Sequence, residues 1–307
     1  MQLHAMSAGT RARITAAGLD PEEIQTVIDR TLREDLDGGI DVTSAATVPE
    51  SQRSIVTFGA RADGCLAGVD IACAVVETVC GPGNVSIEVV RPDGERVSGG
   101  EVIARVSAPT RAMLTAERTA LNLLCHLSGV ATATSRWVDA VAGTGAVIRD
   151  TRKTTPMLRR MEKYAVRCGG GQNHRMSLSD AALVKHNHIA AAGGVEQAFT
   201  AIRAAAAGLP IEIEVDTIEQ LRVAIAAGAD VVLLDNMTPD ELRAAVKLAA
   251  EHEGSTGRAV LLEASGGLTL DRARAVGETG VHFISVGGLT HSSPILDIGL
   301  DFETVVG

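Results

Sequence analysis

Between Arg149 and Arg175 the chain carries eight lysines and arginines and two acids, although its formal net charge is −10. Like charges this close repel, and a folded chain tolerates them where they face water or where an anion neutralises them. Lysine is scarce, with Lys153, Lys163, Lys185 and Lys247 as the only four and none before position 153. A compact ammonium kept beside the planar guanidinium of Arg152 is a pairing that suits phosphate and carboxylate groups. Arg159, Arg160 and Arg167 read as the solvated basic face of a helix. Arg152, Lys153, His174 and Arg175 lie outside it and are the candidates for holding an anion.

The acidic counterpart begins at Ile211, where Ile211, Ile213 and Val215 fall on one face of a strand and Glu212, Glu214 and Asp216 on the other. Three carboxylates facing inward are costly unless a cation meets them. Glu214 with Asp235 of the next strand, joined by a substrate phosphate, makes a donor set for Mg²⁺. An internal salt-bridge network with the basic residues is the other reading, and the two are compatible. Ser265-Gly266-Gly267 and Gly287-Gly288-Leu289 follow the last two strands, where bare backbone N–H groups can take a terminal phosphate. Gly169 to Gly171 fits neither dinucleotide-binding nor P-loop spacing. His186 and His188 are read as two apart on a strand and could reach a metal, but no Cys or third His lies near them in sequence.

These residues need elements to position them. Pro21 to Leu36 has helical apolar spacing, with Asp20 as N-cap and Asp37-Gly38-Gly39 as terminator. Residues from about 40 to 110 read as a small α+β domain, with the β-like runs SIVTFGARA, GCLAGVD, NVSIEVV and EVIARVSAP around the helix DIACAVVETV. From Thr115 a long apolar helix starts. Strand candidates AVIRDT, ALVKHNHI, IEIEVDT, VVLLDN, VLLEASGGL and HFISVGGL then alternate with helices such as VEQAFTAIRAAAAG. That alternation indicates a parallel α/β architecture, a β/α barrel more readily than a doubly wound sheet, with the chemistry at the carboxyl ends of the strands. Lys185, Glu214, Asp235, Ser265 and Gly287 all stand at such ends.

Composition excludes several classes. Hydrophobic residues make up 46% and aromatics 2%, so the core is aliphatic. An acidic chain poor in aromatics is unsuited to nucleic acid. No apolar run is long enough to span a bilayer, and no signal core opens the sequence. Five cysteines without a C-x-x-C pair suit a reduced, cytoplasmic setting.

In EDLDGGIDVTS, AERTALNLL, DTRKTTP with LRRMEKYAV, GGGQNHR, ALVKHNHI, EIEVDT, LLDNM, LEASGGL and ISVGGLTHS, from about residue 34 to 293, the chain closely resembles quinolinate phosphoribosyltransferase, also called nicotinate-nucleotide pyrophosphorylase (carboxylating). The resemblance implies a type II phosphoribosyltransferase-like fold: an N-terminal α/β sandwich domain over 1–116, an incomplete β/α barrel over 117–290, and a tail, 291–307, packed back on the first. It implies a homodimer, and a reaction in which quinolinate and phosphoribosyl pyrophosphate give nicotinate mononucleotide, pyrophosphate and CO2 with Mg²⁺. Carried over by position, Arg118 reaches into the partner's site. Arg152, His174, Arg175 and Lys185 grip the two carboxylates, and Lys153 stands between acceptor and donor. Glu214 and Asp235 hold the Mg-bound donor and its ribose hydroxyls, while Ser265, Gly266, Gly267, Gly287, Gly288 and Leu289 take the 5′-phosphate. Lys153, Lys185, Glu214 and Asp235 are the catalytic set. Met157 and Ser177 stand where the family usually has Gly, His186 where an acid is usual, and Gly288 where Ala is usual.

Two other readings stay open from the residues alone. One is a barrel lyase using Lys153 or Lys185 as a Schiff-base amine; the other is the same transfer with nicotinate as acceptor. A lipoyl-type carrier hairpin at VRPDGERVSGGEVIARV is excluded, since it contains no Lys.

Overall fold

The computed structural model describes residues 3–206 and 208–306, so that Ala207, at the end of an expected helix, lies outside the described residues together with positions 1, 2 and 307. The chain divides into two compact units, one of 1–133, 155–170 and 292–307, the other of 134–154 and 171–291.

The first unit opens with α1 (Ala8–Ala16) and α2 (Pro21–Leu36). Asp20 caps α2 by accepting the Glu22 N–H, Pro21 takes the first position, and Asp37 ends it in the left-handed region at φ 42°. Ile24, Val27, Ile28 and Leu32 form its buried stripe. After α3 (Val42–Thr47) come β1 (Arg53–Ala60), the two-residue β2 (Gly64–Cys65), α4 (Val69–Cys80), β3 (Ser86–Val89), β4 (Arg96–Val97) and β5 (Val102–Pro109). The run GCLAGVD is therefore not a full strand. Gly68 turns at φ 92° to start α4, and a Cβ there would stand 2.8 Å from Leu127. α4 is buried along its length except at Asp70. The C-terminal strand Ile298–Val306 pairs antiparallel with β1, and β5 pairs on the other side of β1 and carries β3. The long helix α5 (Thr110–Ala140) begins five residues before the expected start at Thr115, directly after Pro109, and the division between the units falls within it.

α6 (Arg159–Cys168) belongs to the first unit. Arg160 pairs with Glu23 at 2.8 Å, Arg167 donates to the Ala17 carbonyl at 2.7 Å, and buried Glu162 accepts from His126 and from the Thr155 N–H. Lys163, read as part of a basic cluster, is fully buried. The helical part of the positive stretch thus answers to packing and to α2, and its end residues are the ones left for an anion.

The second unit is a sheet of six parallel strands, β6 (Val147–Arg149), β7 (Ala182–Val184), β8 (Ile211–Val215), β9 (Val231–Asp235), β10 (Leu261–Ser265) and β11 (Phe283–Ser285), in the order β6-β11-β10-β9-β8-β7. Each strand lies beside its predecessor in sequence and the last beside the first, apart from the missing β6–β7 pair. A doubly wound sheet would instead reverse its order at a switch point. The unit is accordingly a barrel open between β6 and β7, where a single parallel bridge sets Gln172 against Arg149. Helices α7 (His186–Ala192), α8 (Val195–Ala205), α9 (Ile218–Ala227), α10 (Pro239–Thr256), α11 (Ala273–Gly277) and α12 (Gly288–His291) fill the connections. No helix among the described residues is long and apolar enough to cross a membrane.

Candidate active site

The alternation of Ile211 to Val215 has its expected effect. Ile213 and Val215 are fully buried, while Glu212 and Glu214 face the interior with their neighbours from adjoining strands. A cavity of about 410 Å³ opens at the carboxyl ends of the strands. Arg152, Lys153, His174, Arg175, Lys185, Glu214, Asp235, Ser265 and Gly266 all line it. Residues scattered over more than a hundred positions share this space because each ends a strand or begins the loop after one.

One wall is cationic. Arg152 follows β6, and its Nε is buried without a hydrogen-bond partner. Arg175 donates to the Ala181 carbonyl at 3.0 Å. Burial and the charge of Arg152 both lower its hold on a proton below the usual guanidinium range. Lys153 lies across Gly287, whose hydrogen leaves room that a Cβ would take, 2.9 Å from Lys153 Cδ. Thr290 of α12 fixes that crossing by donating to the Lys153 carbonyl at 2.6 Å.

The facing wall is acidic. Lys185 Nζ lies 3.3 Å from Glu214 Oε2, and the His186 N–H donates to Glu214 Oε1 at 3.4 Å. Burial raises the Asp235 carboxyl above the ordinary aspartate range, and the charges of Glu214 and Asp216 add to this against Lys185 and Lys153. Asn236 takes the left-handed conformation at φ 56° and donates to Asp235 at 2.8 Å. A Cβ on Gly266 would fall 2.3 Å from Asn236 Oδ1, so the two loops interlock only because position 266 is glycine.

The cavity floor joins a buried layer of charge. His174 Nε2 is 2.7 Å from Glu212 and 3.6 Å from Glu263, and Arg149 meets Glu263 at 2.9 Å while stacking 3.4 Å over the Phe283 ring. Burial opposes a charge on His174, but its hydrogen bond to Glu212 and the two carboxylate charges raise it above the ordinary histidine range. Glu263 is pushed upward by burial and by Glu212. His174, Glu212 and Glu263 are also the group of residues, among those described, whose ligand atoms lie close enough to hold a metal ion.

Some expectations need correction. His186 and His188 are on helix α7, with Lys185 as its N-cap, because His188 Nδ1 accepts the Lys185 N–H at 2.9 Å and turns the chain. His186 faces Asp216 at 3.7 Å, and the charge partner of Lys185 is Glu214. Gly267 follows the lining residue Gly266 directly, and Gly287 to Leu289 come shortly after the lining residue Ser285. Arg118 is exposed on α5 in the first unit. Sequence reasoning passed over Glu263 and Ser285, which do line the cavity. The available signal was a lone charge in the apolar run VLLEA, and a hydroxyl two residues ahead of Gly287 on the same face of its strand.

A family model for the quinolinate phosphoribosyl transferase N-terminal domain matches residues 41–128, and one for the C-terminal domain matches 130–301. The nicotinate-nucleotide pyrophosphorylase [carboxylating] of Mycobacterium leprae is 49% identical over 89% of this chain and 95% of its own length. The probable enzyme of the same name from Bacillus subtilis is 42% identical over 91% and 93%. Among solved structures, the nicotinate-nucleotide pyrophosphorylase from Francisella tularensis superposes with a TM-score of 0.85 at 35% identity, covering 92% of this chain and 96% of its own. Two domain models in succession, relatives aligned nearly end to end and a shared fold leave one conclusion: the chain belongs to the quinolinate phosphoribosyltransferase family.

Proposed function

We propose that the chain transfers the phosphoribosyl group of phosphoribosyl pyrophosphate to the ring nitrogen of quinolinate, releasing pyrophosphate and CO2 and giving nicotinate mononucleotide in NAD biosynthesis. The observation that carries this reading is one cavity with a cationic and an acidic wall. Arg152, Arg175 and Lys185 hold the two carboxylates, and His174 lines the cavity beside them. Lys153 stands between acceptor and donor, and Ser265 to Gly267 with Gly287 to Leu289 take the 5′-phosphate. Two anions that repel each other in water then react as a positioned pair. The pyridine nitrogen bonds to ribose C1 as the bond to pyrophosphate breaks, its electrons leaving with the pyrophosphate. The ring nitrogen is now positive, so the bond to the adjacent carboxylate can break with its electrons staying on the ring carbon, which takes up a proton.

The donor set fits Mg²⁺: Glu214 and Asp235 offer hard carboxylate oxygens, and the crowding that lifts Asp235 is charge that a dication relieves. Bound there with the donor, Mg²⁺ supplies charge stabilisation to the leaving pyrophosphate. The family resemblance supports a homodimer in which Arg118 completes the site of a second copy. Five free cysteines suit a reducing, cytoplasmic setting.

The test is incubation with quinolinate, phosphoribosyl pyrophosphate and Mg²⁺ while following CO2, with nicotinate as the parallel acceptor. CO2 release dependent on all three supports the reading. Turnover of nicotinate alone, or none with either acceptor, sinks it.

A further inference from the structure

Six buried side-chain polar atoms among the described residues have no hydrogen-bond partner, and five of them belong to Arg149, Arg152, Glu212, Glu263 and Ser285, in the cavity wall or the layer beneath it. Glu212 is 7% exposed and Glu263 0%. Two buried carboxylates 3.6 Å or less from one imidazole are expensive, and Leu183 and Leu233, their neighbours across the sheet in the same cavity lining, show that apolar side chains fit on this face.

What they hold is the segment closing the open side of the barrel. On one side it is tied to β6 by the Arg149–Gln172 bridge and by Asp150, which accepts the His174 N–H at 2.9 Å and the Asn173 side-chain amide at 2.6 Å. Towards the interior, His174 reaches across to Glu212 of β8, and its Nδ1 accepts the backbone N–H of Arg175 at 2.7 Å. The ring is thus a strut with a carboxylate at one end and the Arg175 backbone at the other.

We infer that Glu212 and Glu263 are positioning residues for acceptor binding, which act through His174 to fix the Arg175 guanidinium where a pyridine carboxylate meets it. This rests on the reading that Arg175 binds quinolinate. The same three side chains could instead surround a metal ion, but Arg149 already neutralises Glu263 and a hydrogen bond occupies His174 Nε2.

The experiment uses the full-length protein and five variants, Glu212→Leu, Glu212→Gln, Glu263→Gln, His174→Asn and the double variant Glu212→Leu/His174→Asn, with KM for each substrate, kcat and thermal unfolding. Glu212→Leu and His174→Asn each raise KM for quinolinate about ten-fold or more and leave KM for phosphoribosyl pyrophosphate within about two-fold. The double variant is no worse than either single one, because both break the same strut. Glu212→Gln, which keeps an acceptor oxygen, recovers most of the loss, and Glu263→Gln shows a smaller rise in the same KM. Equal rises in both KM values, no rescue by Gln, additive losses, or a stoichiometric transition metal in the purified protein that disappears in Glu212→Leu would overturn the inference. If wild-type protein shows no quinolinate-dependent turnover, it is the proposed function that has failed.

Discussion

Arg152→Ala isolates the cationic wall. In the structure the Nε–H of Arg152 is buried with no partner, so the cost of stripping water from it is already built into the fold, and a carboxylate arriving in the cavity recovers it. Charge-assisted hydrogen bonds contribute about 1.5–3 kcal/mol each, and a bidentate pair fixes orientation as well. Loss of about 3 kcal/mol corresponds to roughly a 100-fold fall in kcat/KM for quinolinate. Stability should move the other way, since the charge of Arg152 adds to burial in lowering the proton affinity of Arg175, and its removal relieves that repulsion. The assay is CO2 release with quinolinate varied at saturating donor, next to a thermal melt. The expected result is a fall of about 100-fold with an unchanged or higher Tm, and Arg152→Lys, which keeps charge but not the fork, regaining only part of it. Kinetics within about five-fold of wild type would refute the placement of Arg152 in the acceptor site, and a large drop in Tm would show that its role is to hold the fold.

Asp235→Asn should remove most activity while raising Tm. The Asp235 carboxyl is raised in the folded state, so its ionisation costs stability as pH climbs from the ordinary aspartate value through the raised one, and that cost is fully present above the raised value. For the same reason kcat/KM for the donor should fall as pH drops through the raised value; a melt at pH 7 that is lower in the variant contradicts this. Gly266→Ala forces a side chain into φ 91° and within 2.3 Å of Asn236 Oδ1. A cost of about 1–2 kcal/mol for the left-handed backbone alone, lowering Tm by roughly 2 °C or more, should come with a raised donor KM. Met157, exposed at φ 70°, occupies a position where Gly relieves the same strain. Net of the freedom Gly adds to the unfolded chain, Met157→Gly should gain up to about 1 kcal/mol, read as a higher Tm. Inactive Arg118→Ala and Arg152→Ala proteins, refolded together, should regain partial activity, and verified mixed dimers with none would exclude a shared site.

By itself the sequence determined the six parallel strands and the residues that end them, because period-2 alternation in Ile211 to Val215 and the polar or glycine stops are local properties of the chain. It also separated two opposite charges, one around Arg152 and Arg175, the other at Glu214 and Asp235, which the cavity then brought together. Tertiary structure decided what no local pattern encodes. Whether a lysine faces water or the core depends on which element packs against it, and α6 went to the first unit with Lys163 fully buried. His186 reads as part of the strand run ALVKHNHI, and only the Lys185 cap turns the chain there into a helix. Glu263 sits in an apolar strand, and only the arrival of Arg149 and His174 from distant positions gives its charge a partner. Local periodicity fixes direction along an element, whereas the compensation of a buried charge is set by neighbours across the barrel.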